Sequence, residues 1–359
     1  MTDISPPAER LLGWYRQNAR PLPWRDEPTP YRVWISETML QQTRIEAARA
    51  YFTRFIRELP DIPALAAVAD DRLMKLWEGL GYYSRARNLK KAAQLLMREH
   101  RGELPADYDA LRALPGIGPY TAGAIASIAF RLPYPAVDGN VLRVAARICD
   151  HSGDVLSPAV RQELTEQVRL WLPEDAPDVF NQAIMELGET LCLPRTTPRC
   201  EACPLGDICL GRQHGTAAAL PVRSPRTARR IERLTVFVCL SDPSVGTSPQ
   251  VLLHKRPDHG LLAGLWELPN LPADSPLSPV EWAEQNGLSV QRAVPLPAGR
   301  HLFTHVEWQM TGAALLCGPP SPVKDGVWVT EAQLKTDYAL PSAFRVYSQA
   351  LPAWLHQNR

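Results

Sequence analysis

Apolar residues recur every three or four positions through most of residues 1–211, with charged residues between them. The stretches YRVWISETMLQQTRIEAARAYFTRFI and SRARNLKKAAQLLMREH show this spacing most clearly. A period of this kind places the apolar side chains on one face of an α-helix. Proline and glycine punctuate the pattern, and no alternating strand pattern occurs before Arg230. The first part of the chain is therefore predicted to be almost wholly helical.

The pattern changes after residue 230. The stretches LTVFVCL, QVLLHKR, HLFTHVEWQMTGAALLC and GVWVT are rich in β-branched and aromatic residues, which is typical of strands. Between the two patterns, residues 212–230 are rich in Ala, Pro and Arg and have no apolar period, as in a linker. The sequence thus predicts a helical domain over 1–211, a linker over 212–230 and a mixed α/β domain over 231–359.

The composition is that of an ordinary globular protein, with 45% hydrophobic and 21% charged residues among 359. The formal net charge is only +1, so we expect any contact with nucleic acid to be local. No stretch is long and apolar enough to span a bilayer, and the start MTDISPPAER has no apolar signal core. These features argue against a disordered, a membrane-spanning or an exported protein.

The motif ALPGIGPYTAGAIASIAF places Gly116 and Gly118 in a tight turn between two helical patterns, near residues 114–130. Pro119 suits the first position of the second helix. Glycines let a backbone come close to a ligand, and the free amides of a helix start favour an anion. The motif therefore suits a DNA phosphate, although a structural helix-turn-helix corner explains it equally well.

Two carboxylates are candidates for acid–base chemistry. Glu37 lies in VWISETMLQQT with apolar residues on several sides, so its pKa is expected to be raised and it is a candidate proton donor near neutral pH. Asp138 begins the helical pattern of VDGNVLRVAARICD. The alternatives are an ordinary exposed glutamate and a helix N-cap. Two carboxylates in different environments would supply one site with an acid and a charge stabiliser.

Four of the seven cysteines fall within eighteen residues, in the pattern C-x7-C-x2-C-x5-C. Such clustering predicts a metal site in a reducing compartment and not a disulfide framework. A zinc ribbon would usually show two C-x2-C pairs, and this run has one. Thiolates on unequal loops favour an iron–sulfur cubane, with zinc as the alternative. The predicted ligands are Cys192, Cys200, Cys203 and Cys209.

The motifs occur in an order and spacing that resemble a known family. SETMLQQT, LWEGLGYYSRARNL, LPGIGPYTAGAI, VDGNVLRVAAR and the downstream cysteines are similar to the helix-hairpin-helix superfamily of DNA glycosylases, and within it to the MutY-type family. The resemblance resumes in the C-terminal domain, where HKRPDHGLLAGLWELPN and HLFTHVEW resemble the family's Nudix-like domain. It implies a multidomain fold, with an all-α helix-hairpin-helix glycosylase that carries an iron–sulfur cluster loop over 192–209, followed by a mixed α/β Nudix-like domain.

The resemblance also implies an activity, which is hydrolytic removal of adenine mispaired with 8-oxoguanine in double-stranded DNA. Glu37 would protonate the adenine and then help to activate water. Asp138 would stabilise, or transiently bond, the cationic sugar, as in a retaining glycosidase. Tyr120 and Asn140 match positions that line this site. The family is monofunctional, so base removal without strand cleavage is expected.

Other matched positions surround the two bases of the mispair. The implied substrate-binding residues are Trp24, Arg25, Leu40 and Gln182 for the flipped adenine, Gln42 and Tyr82 for the wedge beside 8-oxoguanine, and Phe303, Thr304 and His305 for the loop that reads 8-oxoguanine. Core packing is the alternative for each aromatic residue, above all for Trp24. The resemblance further implies one structural [4Fe-4S] cluster per chain and a monomer at the nucleoid of a bacterial cytoplasm.

Three features depart from the family pattern. The first cysteine gap has seven residues where six are usual, and Thr304 stands where many relatives have serine, which keeps the hydroxyl. The stretch VEWAEQNG corresponds to the R-E-x-x-E-E-x-G helix of active Nudix hydrolases. There Glu281, Glu284 and Gly287 fit the pattern, but Val280 and Gln285 replace an arginine and a ligand carboxylate. The C-terminal domain is therefore expected to read the lesion without hydrolase activity.

Two other functions remain as alternatives. An endonuclease III-like enzyme would remove oxidised pyrimidines and cut the strand through a lysine nucleophile, but Tyr120 stands at that position and PGIGPYTAG has no lysine. A nucleotide pyrophosphatase with a DNA-tethering helical half would need the full set of Nudix carboxylates, and Gln285 argues against it.

Overall fold

The computed structural model describes residues 7–194, 197–225, 228–242, 248–349 and 351. The chain divides into two compact units, one formed by Met1–Ala67 with Arg87–Pro225 and the other by Val68–Ala86 with Arg226–Arg359. The first unit is helical and the second is built on a β-sheet, as the two sequence patterns predict. No helix among the described residues is long and apolar enough to cross a membrane.

Proline opens several helices of the first unit at the first helical position, where its missing N–H leaves no hydrogen bond unmade. A π-helical turn, Ile125–Ala129, follows directly on α8. The helices before residue 226 are α1 (Ala8–Asn18), α2 (Pro30–Leu40), α3 (Ile45–Glu58), α4 (Ile62–Ala67), α5 (Asp70–Trp77), α6 (Ser84–Glu99), α7 (Tyr108–Ala113), α8 (Pro119–Ala124), α9 (Gly139–Ile148), α10 (Pro158–Trp171), α11 (Pro177–Thr190) and α12 (Leu210–Gln213).

Helix α9 lies at the centre of the first unit. Every residue from Val141 to Ile148 is buried, including the two arginines Arg143 and Arg147. Its apolar side chains join those of α1, α10 and α11 in one core, to which Leu11 and Phe180 contribute. A helix that is buried on all sides is fixed by packing, so the residues at its start have a fixed position.

The hairpin between α7 and α8 needs glycine at one position. Gly116 has a φ of +79°, and a Cβ there would lie 2.6 Å from the Asn88 Cβ. Gly118 is extended, with φ −86° and ψ 179°, and precedes Pro119 at the start of α8. The predicted turn is therefore present, and α8 begins directly after it.

The second unit contains a mixed sheet with strand order β3-β2-β1-β6-β5, in which β4 also pairs with β1 and β7 with β2. The pairing of β1 with β6 is parallel and the other pairings are antiparallel. The elements are β1 (Arg230–Ser241), β2 (Gln250–Lys255), β3 (Trp266–Glu267), β4 (Asn270–Pro272), α13 (Pro279–Gln285), β5 (Val290–Leu302), β6 (Val306–Cys317), β7 (Gly326–Thr330), α14 (Glu331–Thr336) and α15 (Arg345–Ser348).

Both faces of the sheet carry an apolar core. On one face Val238, Met310 and Phe344 are buried, and on the other Phe237 and Leu315 pack with α13. This alternation along β1 and β6 is what two covered faces require.

Helix α5 precedes most of the helical unit in sequence but packs with the sheet. Lys75 Nζ donates to the backbone oxygens of Leu334 and Tyr338 at 2.8 and 3.1 Å. Asp71 Oδ1 accepts from Trp266 Nε1 at 3.0 Å. The apolar spacing of α5 resembles that of its neighbours, so periodicity alone gives no sign of this grouping.

Candidate active site

Nine of the sequence-predicted site residues line one open pocket of the first unit, with a volume of about 1090 Å³. They come from segments that are far apart in the sequence, and the fold of the helical unit brings them together. The nine residues are Trp24, Arg25, Glu37, Leu40, Gln42, Tyr120, Asp138, Asn140 and Gln182.

Glu37 has the environment that a neutral-pH proton donor needs. It lies on α2 and only 6% of its surface is exposed. Burial raises the pKa of Glu37 to about 7. A hydrogen bond from Tyr120 lowers the pKa, and the charge of the nearby Asp138 raises it further. Glu37 is therefore protonated in a substantial fraction of the molecules near neutral pH. This agrees with the expectation from its apolar neighbours.

Tyr120 couples α8 to this carboxyl group. Its Oη donates a hydrogen bond to Glu37 Oε2 and also contacts Met185 Sδ at 3.5 Å. Burial and the charge of Glu37 hold the pKa of Tyr120 well above its ordinary value. The phenol therefore stays protonated and remains a donor, which fixes the orientation of Glu37.

Asp138 is the N-cap of α9, and its carboxylate also lines the pocket. Asp138 Oδ1 accepts from the backbone N–H groups of Asn140 and Val141, both at 2.8 Å. Burial raises the pKa of Asp138, and these two backbone hydrogen bonds oppose that rise. The N-cap alternative and the functional hypothesis are thus compatible, because capping holds this carboxylate at the pocket.

Asn140 links Asp138 to the rest of the unit. Its Nδ2 donates to Asp138 Oδ2 at 3.0 Å and to Glu189 Oε1 at 2.7 Å, and its Oδ1 accepts from Arg143 Nη2 at 2.9 Å. Arg143 in turn donates to the backbone oxygen of Cys192 at 2.8 Å. The side chains at the start of α9 therefore form one connected hydrogen-bond network.

The sequence analysis missed Glu186, a buried carboxylate on α11 that also lines the pocket. Arg25 Nη2 lies 2.8 Å from Glu186 Oε2, and Arg20 bonds to the other carboxylate oxygen. Burial alone would raise the pKa of Glu186, but the hydrogen bonds from Arg20 and Arg25 lower it overall. The spacing of Gln182, Glu186 and Glu189 places all three on one face of α11, and this polar face is the signal that marks them.

Trp24 is a core residue that also lies at the pocket. It is 6% exposed and packs edge-on against Phe52, with ring centroids 5.5 Å apart, as a core residue does. It also lines the pocket. The indole therefore forms a fixed apolar wall of the site.

The remaining predicted residues lie outside this pocket. Gly116 and Gly118 are in the α7–α8 hairpin. In the second unit, Tyr82 Oη and Thr304 Oγ1 form a hydrogen bond of 2.9 Å. Tyr82 and the pocket residue Gln42 share an unusual backbone, with φ values of +46° and +62°. A positive φ is uncommon in residues other than glycine and is concentrated at functional sites.

The loop Phe303–His305 joins β5 to β6 and its backbone is fixed. Phe303 packs edge-on against Trp308 at 5.0 Å, and its oxygen accepts from Arg229 Nε at 2.8 Å. The oxygen of His305 accepts from the backbone N–H of Arg230 at 3.0 Å. The side chains of Thr304 and His305 are exposed.

The four clustered cysteines line a second, smaller cavity, together with apolar residues such as Val144 and Leu187. Arg147 Nη1 donates to Cys192 Sγ at 3.1 Å, and Cys209 Sγ donates to the Arg147 oxygen at 3.3 Å. Among the described residues, no three Cys, His, Asp or Glu donors converge as a single ion would require. Four thiols that line one cavity are the donor set that an iron–sulfur cubane takes, so the residues present fit such a cluster.

Comparison with known proteins is consistent with this architecture. The model of the HhH-GPD superfamily of base excision DNA repair proteins matches residues 35–170, and that of the NUDIX domain matches 245–350. The adenine DNA glycosylase of Mus musculus is 35% identical over 410 residues, which cover 97% of this chain and 79% of the mouse protein. That of Buchnera aphidicola subsp. Schizaphis graminum is 32% identical over 300 residues, which cover 83% of this chain and 84% of the relative.

A solved structure shows the same helical fold. A thermostable thymine-DNA glycosylase superposes with a TM-score of 0.51 and 24% sequence identity, over 57% of this chain and 94% of that chain. The comparisons confirm the predicted fold class, a helix-hairpin-helix glycosylase unit followed by a Nudix-like unit with a mixed sheet.

The buried state of Glu37 predicts a stability difference that depends on pH. Its pKa is about 7 in the folded protein, whereas the ordinary value is 4.5. The folded state therefore binds the proton more tightly than the unfolded state does. As a result, the free energy of unfolding of the wild type falls as the pH rises from 4.5 through 7. Glu37→Gln cannot ionise, and we expect it to be more stable than wild type at pH 8 by on the order of 2 kcal/mol. Urea unfolding at pH 5 and pH 8 measures this. A difference that is the same at both pH values would contradict the raised pKa.

Proposed function

Because this chain belongs to the adenine DNA glycosylase family, and is therefore a base-excision repair enzyme that acts on DNA, we propose that it removes adenine paired with 8-oxoguanine or guanine, by hydrolysis and without cutting the strand. The observation that carries this proposal is the buried Glu37 carboxyl group with its pKa of about 7, in the same pocket as the Asp138 carboxylate.

Glu37 supplies the proton in the proposed reaction. The protonated carboxyl donates to a ring nitrogen of adenine, so that the electron pair of the glycosidic bond leaves with a neutral base and not with an anion. The Tyr120 hydrogen bond holds the Glu37 carboxyl in one orientation during this transfer. The resulting Glu37 carboxylate then accepts a proton from the water that attacks C1′.

Asp138 stabilises the cationic sugar that remains. Its Oδ1 is held by two backbone N–H groups and its Oδ2 by Asn140 Nδ2, so the carboxylate is preorganised before the charge develops. A carboxylate fixed beside the anomeric carbon stabilises the oxocarbenium ion by its charge or bonds to it transiently.

The adenine is held by residues of the same pocket. Trp24 and Leu40 offer apolar surface for the flipped base, and Arg25 and Gln182 offer polar groups for its edge. Arg25 is oriented by its ion pair with Glu186, which is 1% exposed. Polar groups that are held in place by protein partners before the base binds favour a base that can form hydrogen bonds with them.

The second unit reads the opposite base in this proposal. Thr304 and His305 are exposed on a held loop and supply the polar contacts to 8-oxoguanine, with Phe303 beneath them. Tyr82 and Gln42 enter the duplex as wedges, and their positive φ values support this role. Gly116 and Gly118 bring backbone amides to a DNA phosphate.

We also propose one [4Fe-4S] cluster, held by Cys192, Cys200, Cys203 and Cys209. The cavity that these residues line supports it, and so do the hydrogen bonds between Arg147 and the thiols of Cys192 and Cys209. When bound, the cluster would cross-link the loop 192–209 at the edge of the α9 core. No redox step is needed for the proposed hydrolysis, so the role is structural.

The proposal includes the organisation of the chain and its setting. The catalytic domain is 1–211, the linker 212–230 and the lesion-reading domain 231–359, acting as a monomer on double-stranded DNA at the nucleoid of a bacterial cytoplasm. The pyrophosphatase alternative is disfavoured by α13, because Glu281 closes a capping box with Ser278 and is not free for a metal. The lyase alternative is disfavoured because Tyr120 offers no amine for a Schiff base.

The first prediction for this function concerns excision under single-turnover conditions. Wild type should release adenine fastest opposite 8-oxoguanine, more slowly opposite guanine, and should leave thymine glycol intact, with strand breaks appearing only after alkali. Glu37→Gln should bind the mispair but lose excision by about a thousandfold or more, while Glu9→Gln on the surface of α1 serves as the matched control. Strand breaks without alkali, or excision by Glu37→Gln near the wild-type rate, would contradict the proposal.

The second prediction concerns lesion reading. His305→Ala should narrow the preference for 8-oxoguanine over guanine opposite adenine by about tenfold, because one of the exposed polar contacts is lost. The ratio of the two single-turnover rates measures this, with His259→Ala, an exposed histidine of the same domain, as the control. An unchanged ratio would show that His305 does not contribute to the recognition of 8-oxoguanine.

The third prediction concerns the cluster. Cys203→Ala should purify with less than half of the wild-type iron and acid-labile sulfide, because one of the four thiolates is absent. Cys239→Ala, a buried cysteine of the other unit, should keep the full content. About four irons per wild-type chain are expected, and one zinc per chain in place of iron would show that the site holds a single ion.

A further inference from the structure

The side-chain amide of Asn140 has a partner for each of its polar atoms. Arg143 Nη2 donates to Asn140 Oδ1 at 2.9 Å. The two hydrogens of Asn140 Nδ2 face two carboxylates, Asp138 Oδ2 at 3.0 Å and Glu189 Oε1 at 2.7 Å. Guanidinium groups only donate and carboxylates only accept, so the opposite orientation of this amide would lose all three hydrogen bonds. The amide therefore has one stable orientation.

Glu189 is a third carboxylate at the site, to which the sequence motifs assign nothing. It is exposed, lies near the end of α11 and lines the same pocket as Asp138 and Asn140. Its hydrogen bond to Asn140 is the shorter of the two that Nδ2 makes. Both acceptors are carboxylates, which give the stronger kind of hydrogen bond, so Glu189 shares with Asp138 in fixing the position of Asn140.

The residue before Glu189 makes this contact possible. A Cβ on Gly188 would lie 2.9 Å from the Asn140 Cβ, so the backbone of α11 packs directly against Asn140 because residue 188 has no side chain. Arg143 Nη2 also donates to the Gly188 oxygen at 2.8 Å. The pair Gly188 and Glu189 thus brings α11 onto the start of α9 and gives the amide of Asn140 its second acceptor.

We propose that Glu189 is a positioning residue for base excision, which holds the Asn140 amide so that its other hydrogen stays on Asp138 Oδ2. This inference rests on the proposed role of Asp138. Without Glu189, one hydrogen of Asn140 Nδ2 has no carboxylate partner and the amide gains rotational freedom. The Asp138 carboxylate then keeps its two backbone hydrogen bonds on Oδ1 but loses the fixed donor on Oδ2. Its alignment with the sugar becomes looser, which slows the step in which the positive charge forms.

Substrate affinity does not explain a carboxylate at this place. An exposed negative charge beside a DNA duplex repels the phosphates and weakens binding. The charge of Glu189 therefore weakens DNA binding, and we expect Glu189 to raise the rate of the chemical step. This separation of rate from affinity distinguishes a positioning residue from a residue that binds DNA.

The experiment compares Glu189→Ala and Glu189→Gln with wild type on a duplex with adenine opposite 8-oxoguanine. The rate of excision is measured in single turnover at saturating enzyme. The Kd is measured on the same duplex with the target adenosine replaced by a non-hydrolysable 2′-fluoro-deoxyadenosine. We expect Glu189→Ala to lower the rate about tenfold with a Kd no weaker than that of wild type. Glu189→Gln keeps an acceptor oxygen for Asn140 and should stay within about threefold of the wild-type rate. Glu166→Ala, an exposed carboxylate of α10 that pairs with Arg169, is the matched control.

A double-mutant cycle tests whether Glu189 acts through Asn140. In an Asn140→Ala background the amide is gone, so adding Glu189→Ala should produce no further loss of rate. A tenfold loss that persists in that background would mean that Glu189 acts independently and would overturn the proposal. A rate for Glu189→Ala within twofold of wild type would also overturn it.

A parallel variant separates this inference from the assignment of Asp138. If Asp138→Asn abolishes excision while Glu189→Ala has no effect, the inference about Glu189 is wrong and the proposed function stands. If Asp138→Asn excises adenine at the wild-type rate, the role of Asp138 is wrong and the inference about Glu189 is overturned with it.

Discussion

The burial of one carboxyl group is the constraint on which the active site depends. Glu37 is 6% exposed on α2, and that burial raises its pKa to about 7. A buried carboxylate without compensation is costly, so the group takes up and releases a proton near neutral pH. Tyr120 provides the hydrogen bond that orients the carboxyl without supplying a positive charge that would fully ionise it. The same burial that costs stability at high pH thus keeps a proton on the carboxyl group near neutral pH, as the proposed acid requires.

The second carboxylate is held by different means. Asp138 sits at the N-terminus of α9, where backbone N–H groups and the helix dipole favour a negative charge. Because α9 is buried along its length, the position of Asp138 is as fixed as the core itself. The pocket therefore holds one carboxyl group away from solvent and the other on backbone donors, and the proposed roles of acid and charge stabiliser rest on this difference. Both positions follow from packing and not from flexible loops.

Sequence patterns predicted the parts of the fold that depend on local order. Apolar periodicity identified the helical part of the chain, and β-branched stretches identified β1, β2, β6 and β7 but not β3, β4 or most of β5. The turn at Gly116 appears with the positive φ that its glycine permits. The raised pKa of Glu37 was predictable because its neighbours in α2 are apolar and adjacent in sequence. The N-cap at Asp138 was predictable from residue type alone.

Features that depend on which elements meet were not predictable in this way. Glu186 and Glu189 lie on a polar face of α11 that the sequence pattern marks but would assign to solvent. Only the folded contacts show that Glu186 pairs with Arg25 and that Glu189 accepts from Asn140 of α9. The hydrogen bonds from Trp266 to Asp71 and between Tyr82 and Thr304, which belong to the grouping of Val68–Ala86 with the sheet, join residues 195 and 222 positions apart. A single sequence carries no signal for such pairs.

The most direct test of the central claim is a measurement of the Glu37 pKa in the free enzyme. Carboxyl carbons of glutamate labelled with ¹³C can be followed by NMR from pH 4 to pH 9, and the Glu37 resonance is assigned by its loss in Glu37→Gln. The account predicts a titration midpoint near pH 7, well above the ordinary value of 4.5. A midpoint near 4.5 would mean that Glu37 is ionised throughout the working range and is not the proton donor.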